Sequence, residues 1–150
     1  AVLEAAYADI RESEKALHLE ALDPVQAIRR LVAFSWQYHL EHPEFLSLLN
    51  SENLHHAEHL KHSTRVRSMH SPFVSMIGHI LERGVQAKVF RTGVDAVQLY
   101  ISIAGLSYFY LSNNYTLSAI FGRNLKSTKA CAERLLHMTD VVLGYLLHKT

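Results

Sequence analysis

Between Val94 and Leu111 the side chains Val97, Leu99, Tyr100, Ile101, Ile103, Ala104, Leu106, Tyr108, Phe109, Tyr110 and Leu111 leave no continuous polar face. A helix that is apolar all round has to be covered all round. In a chain of 150 residues one side can pack on the chain's own core, while the other calls for a membrane or a second protein surface. A membrane is the weaker solution. The stretch carries Asp95, Gln98, Ser102 and Ser107, lacks flanking clusters of Lys or Arg, and is barely long enough to cross about 30 Å of hydrocarbon. The same helix from an identical subunit, related by a two-fold axis, is the commoner cover. Gly105 beside Ala104 would let two such backbones approach. A central helix in a monomeric bundle is the plainer alternative.

The rest of the composition narrows the class. Lys plus Arg number 15 and Asp plus Glu 14, a formal charge of +1, and the basic residues are scattered. No basic stripe marks a direct nucleic-acid interface. Cys131 is alone, so no internal disulfide forms, which fits a reducing cytoplasm. Three Pro, six Gly and few runs of β-branched residues give an all-α expectation, in one domain over residues 1–150. The first residues, AVLEAAYADI, already have helical spacing with no capping residue ahead of them. That pattern is expected of a fragment cut from a longer protein inside a helix.

Taken in order, Val2, Leu3, Ala6, Tyr7, Ile10 and Leu17 predict a helix from about Val2 to Glu20, with Asp9, Arg11, Glu12 and Lys15 outward. Asp23-Pro24, with Gln26 where a capping box wants it, starts a second helix running to about Glu41. Its apolar residues cover more than one stripe, which places it deep in the fold. His42-Pro43 opens a short helix carrying Phe45, Leu46, Leu48 and Leu49. The hydrophilic run from Leu54 to Met69 reads as a surface helix or loop. Ser71-Pro72 reads as a cap and first turn, opening a helix that stops at Gly84. Thr92, with Asp95 three residues on, reads as the cap of the apolar helix, and Asn113-Asn114 closes it. A short helical turn ends at Gly122. A last helix from about Ser127 to His148 presents Cys131, Leu135, Met138, Val142 and Leu146, with Leu136, Val141, Leu143 and Leu147 beside them.

The runs LDPVQAIRRLVAFSWQYHLEHPEFLSLLNSEN and ERGVQAKVFRTGVDAVQLYISIAGLSYFYLSNNYTLSAIFG together resemble the C-terminal effector domain of TetR-family transcriptional repressors. The resemblance is carried by Asp23-Pro24, His42-Pro43-Glu44-Phe45, Glu52-Asn53, Phe90-Arg91 and Ser112-Asn113, in that order. It implies an all-helical domain whose last two long helices form an intersubunit four-helix bundle, with a small-molecule pocket among the earlier helices. It also implies a homodimer that meets DNA only through a helix-turn-helix domain not contained in this chain. Ligand binding would shift the first helix and release the operator. Lys88 departs from the pattern, since relatives often carry Gly before the Phe-Arg pair.

A small-molecule site needs apolar walls and a few convergent polar groups. Candidates for the walls are Trp36, Tyr38, Phe73, Met76, Ile77, Tyr108 and Phe109, and for the polar groups Gln37, Glu52, Asn53 and Asn113. Aromatic residues and Met at helical spacing are more often plain core. Candidates for the dimer interface are Val97, Tyr100, Ile101, Ala104, Gly105, Tyr108, Leu135, Met138, Val142 and Leu146. The chain has eleven His. On a helix, His55, His59 and His62 would share one face, a spacing that suits metal but needs a further converging ligand. A His-rich metal- or haem-binding helical protein is therefore the alternative function. No phosphate loop, nucleophile elbow or HExxH is present, so the expectation is neither an enzyme nor a cofactor protein.

Overall fold

The computed structural model describes residues 2–149. They form seven α-helices: α1 Val2–Lys15, α2 Pro24–Glu41, α3 Pro43–Leu54, α4 Thr64–Gln86, α5 Ala96–Ser112, α6 Asn114–Phe121 and α7 Thr128–Leu146. The all-α expectation holds. None of these helices is long and apolar enough to cross a membrane.

The architecture is built around α2. Asp23 accepts the Gln26 amide at 3.1 Å and Pro24 fills the first turn, so the start read from sequence is the start observed. Beyond it Ala27, Ile28, Leu31, Val32, Trp36, Tyr38 and His39 are all buried. Those residues point in several directions, and α1, α3, α4, α5 and α7 each pack on one of them. The main core joins α2 to α4, α5 and α7 through Ile77, Ile80, Leu99, Ile103, Met138, Val142 and Leu146. A smaller cluster of Leu3, Ile10, Tyr38 and Phe45 fastens α1 and α3 to the outer side of α2.

Four boundaries differ from the sequence expectation, each for an identifiable physical reason. Helix α1 ends at Lys15, because His18 turns left-handed (φ 50°) and a 3-10 turn follows at Leu19–Ala21. This drops Leu19 fully into the core, and Arg83 secures the turn by donating to the Leu22 and Leu19 carbonyls at 2.7 and 3.4 Å. Pro72 lies inside α4, whose cap is Ser63 accepting from Val66 N. A mid-helix proline forfeits one backbone bond and costs about 3 kcal/mol. The turns before it survive because α1 holds them, through Ser63 Oγ donating to Glu4 (2.7 Å) and the Tyr7 ring set edge-on to His70 (4.9 Å).

Gly84 does not stop α4. A Cβ there would meet the Phe90 ring at 1.9 Å, so the residue is a seat for Phe90, and the helix continues to Gln86. The stop lies at Lys88, which is left-handed with φ 60°. Val89 N bonds Gly84 O and Lys88 N bonds Val85 O, the paired bonds of a Schellman ending. Finally, Asp95, not Thr92, caps α5, accepting from Gln98 N at 3.0 Å. An isolated antiparallel bridge pairs Phe90 with Leu147, tying this connector to the end of α7.

The α4 ending makes two expectations measurable by urea denaturation. Replacing Gly84 by Ala drives a methyl into Phe90 and should cost about 1 to 3 kcal/mol. Replacing Lys88 by Gly relieves the left-handed strain of about 1 to 2 kcal/mol, offset in part by greater freedom of the unfolded chain. The variant should be equal or slightly more stable.

Candidate functional site

A cavity lies between α1 and the first half of α4. It has a volume of about 400 Å³ and is walled by Ala8, Arg11, Glu14, Met69, Pro72, Phe73 and Met76. A small space of about 20 Å³ sits behind it, bounded by Leu31, Ser35, His39, Tyr100, Ile103 and Ala104. That is space for about one water. Arg11, Glu14 and Phe73 border both spaces, so they form the partition.

Arg11 and Glu14 are both inward, 5% and 4% exposed, with Nη1 3.1 Å from Oε2. The guanidinium lies over the Phe73 ring at 3.9 Å, and Nη2 reaches Tyr100 Oη at 3.4 Å. Its Nε and Nη1, and Glu14 Oε2, have no aligned hydrogen-bond partner. Burial pushes the Glu14 carboxyl up to about 7, against the opposing pull of Arg11. Next to this pair His39 Nδ1 and Ser107 Oγ are 2.6 Å apart, and Ser107 donates to Ala104 O. Burial, with some repulsion from His42, brings His39 down to about 4, so its ring is neutral near neutrality.

The residues anticipated as a pocket disperse. Phe73 and Met76 do line the cavity. Trp36 is core, edge-on to Tyr110 at 5.5 Å, and Ile77 is fully enclosed. Tyr38 donates to Asp9 at 2.8 Å and stacks on His42. Gln37 is exposed and donates to Glu41. Tyr108 bonds Asn50, and Phe109 faces outward at 58% exposure. Asn53 and Asn113 each donate to the carbonyl four residues earlier, Leu49 O and Phe109 O. Burial alone would raise the Glu52 carboxyl. The Leu60 and His59 amides and the His59 ring outweigh it and hold the group below its ordinary value.

The histidine cluster does not share a face, because α3 ends at Leu54 and His56 and Ala57 are both left-handed. His55 Nδ1 is engaged by Ser51 O and His59 Nδ1 by Glu52, while His62 is exposed. Among the described residues no three metal-ligating side chains converge.

On the anticipated interface, Val97, Ile101 and Gly105 are exposed on α5. Tyr100 and Ala104 turn toward the small space behind the cavity, and Tyr108 and Leu135 are half-buried. Met138, Val142 and Leu146 are consumed by the chain's own core, since α7 lays that stripe on α2. The outward apolar face of α7 is carried by Leu136, Val141 and Tyr145.

Sequence reasoning placed Arg11 outward and passed over Glu14. A signal was there: the stripe Leu3, Tyr7, Ile10 continues at the next four-residue step to Glu14, a carboxylate where an apolar side chain is expected.

Glu14 and His39 bias stability in opposite directions. Between about pH 4.5 and 7 folded Glu14 keeps a proton that the unfolded chain has released, so its contribution is lost as pH rises, roughly 3 kcal/mol in all. Between about pH 4 and 6.5 folded His39 binds fewer protons than the unfolded chain, so its contribution is lost as pH falls. In the shared window they nearly cancel. Glu52 and His70, also held below their ordinary values, tilt the wild-type profile toward loss of stability in acid. Glu14→Gln should make the urea midpoint fall more steeply than wild type below about pH 6.5. Parallel profiles for the two proteins would contradict the assignment.

Residues 24–142 match the family model described as Tetracyclin repressor-like, C-terminal domain. The HTH-type transcriptional repressor NicS of Pseudomonas putida is 39% identical over 142 residues, covering 95% of this chain and 67% of that relative. Matched along most of its length by the family model and along nearly all of it by a repressor, this chain belongs to the TetR-like regulators and carries their C-terminal domain.

Proposed function

We propose that this chain is the effector-sensing and dimerisation half of a TetR-like transcriptional repressor. The observation that carries the reading is the cavity of about 400 Å³ opening between α1 and α4. Part of one wall, from Ala8 to Lys15, belongs to α1, so a ligand that prefers one setting of the wall biases the setting of that helix. Operator release then follows as a population shift through a helix-turn-helix domain joined to α1. The shift cannot exceed the ligand's differential affinity for the two settings.

Pairing is supported by the outer surface. Val97, Ile101 and Phe109 on α5 and Leu136, Val141 and Tyr145 on α7 are each more than two-fifths exposed, an apolar surface suited to a second copy. Tyr115, Ile120 and Phe121 of α6 are exposed as well. Gly105 offers no side chain on this face, and a Cβ built there meets nothing within 4 Å in the single chain.

Two measurements check these halves separately. In sedimentation at micromolar concentration the chain should run at twice its 17.1 kDa mass, and Ile101→Glu with Leu136→Glu should run as a folded monomer. A wild-type monomer would remove the dimer. For the pocket, a mixed panel of small acids, amides and amines should include members that raise the melting temperature of the wild type. Those members should not raise that of Ala8→Trp, in which the cavity is filled. Shifts equal in both proteins, or absent from both, would count against a sensing cavity.

A further inference from the structure

The partition between the cavity and the small space behind it holds a charge that the fold leaves incompletely answered. Arginine stays ionised at any relevant pH, and its planar fork is matched by two parallel acceptor oxygens. Arg11 has neither arranged that way. Its Nε and Nη1 lack aligned partners, although Glu14 Oε2 is 3.1 Å from Nη1. Arg11 and Glu14 are three residues apart on one helix, a spacing that brings the groups close without aligning them. Both side chains are about 95% buried, so solvent does not complete the set. The cavity is the open space beside the pair, since Arg11 and Glu14 stand in its wall next to Phe73, and moving the Glu14 side chain aside exposes the guanidinium to it.

We infer that the cavity takes a small organic acid, whose carboxylate pairs with the Arg11 fork while Glu14 is displaced from it and takes a proton from solvent. This rests on reading the cavity as the effector site. Pro72, Phe73, Met69 and Met76 give the acid's body an apolar wall, so a compact carboxylate with a short or flat hydrocarbon portion fits better than a sugar acid.

The alternative, an amine paired with Glu14, is disfavoured by which charge can be switched off. Glu14 can become neutral near physiological pH, because burial has already raised its carboxyl to about 7, whereas Arg11 cannot. An incoming carboxylate therefore finds a fixed positive partner, and its rival is removed by one proton. The other titratable groups around this space are compatible with the exchange. Glu12 and Lys15 of α1 are exposed at the rim, 80% and 74%, and lie 4.0 Å apart. His39 of α2 is neutral, and Tyr100 of α5 offers a hydroxyl to Arg11. The α4 wall of the cavity is uncharged. His70 of α4, edge-on to Tyr7, is lowered by burial, with the charge of Arg11 a further cause. Arg11 and Glu14 both belong to the second half of α1, so exchanging one carboxylate for another changes what restrains that helix.

The test is calorimetric titration of the wild-type chain with benzoate and butyrate and with their neutral isosteres benzamide and butyramide. Each is run near pH 7.5 in two buffers of different ionisation enthalpy. The acids should bind at least about tenfold more tightly than the amides, with a net uptake approaching one proton per site. In Glu14→Gln the acids should still bind, as tightly or more so, with the uptake gone. The double variant Arg11→Met, Glu14→Met removes both charges together, so it leaves no orphan ion to unfold the chain. It should lose the preference for acids over amides. Amides that bind as well as acids, or proton uptake that persists in Glu14→Gln, would overturn the assignment and leave the pocket in place. Failure of all four compounds would overturn the acid assignment, and the pocket itself falls only if the wider panel also leaves wild type and Ala8→Trp melting alike.

Discussion

Everything in this fold is arranged to dehydrate α2. That helix carries buried side chains in so many directions that no single neighbour covers it, and five helices from both ends of the sequence converge on it. Each fully buried Leu, Ile or Phe contributes about 1.5 to 3 kcal/mol of apolar transfer, and the residues around α2 make up most of the main core. The consequence for function is indirect. With α2 as a fixed post, α4, α5 and α7 are held by extensive contact, while α1 is attached to the outer side through a smaller cluster. A helix joined to the post through this smaller cluster thus also forms part of the cavity wall.

Polar groups trapped under α1 give that attachment its character. An arginine, a carboxyl, a histidine and two serines, Ser35 and Ser107, occupy a region that apolar side chains could have filled. Replacing such a buried ionic pair by packed hydrocarbon is often neutral or stabilising, so the pair is poorly explained as a stability device. Its location between the cavity and the smaller space behind it fits a recognition role better. The same polar seam explains why the opposing titrations of Glu14 and His39 sit within one helix layer: burial raises the acid and lowers the base.

The outer surface answers the question raised by the apolar stretch from Val94 to Leu111. Half of it, at Leu99, Ile103, Ser107, Tyr110 and Leu111, is buried. The other half, at Val97, Ile101 and Phe109, is exposed in the single chain. The matching exposed face of α7 is rotated from the one its strongest apolar stripe suggested, because that stripe is spent on α2. A hydrophobic pattern counts the faces that need cover, and it does not say which face is covered from within.

Local physics was legible from the residues alone. Caps at Asp23 and the closures near Asn113 and Gly122 follow from hydrogen-bonding geometry within a few residues, the helical class follows from composition and spacing, and the order of a few short motifs carries the resemblance to the TetR family. The assignments that failed depended on distant partners. Pro72 stays inside a helix because α1 supports the turns before it, and Gly84 is small because Phe90, six residues on, returns over it. Arg11 and Glu14 are buried because α4 and α5 close over α1, which no spacing rule within a single helix can state. Sequence alone therefore determined the elements and the surplus of apolar surface. Tertiary structure decided which side of each helix meets water, because that choice is made by the total burial of the whole chain and not by any one segment.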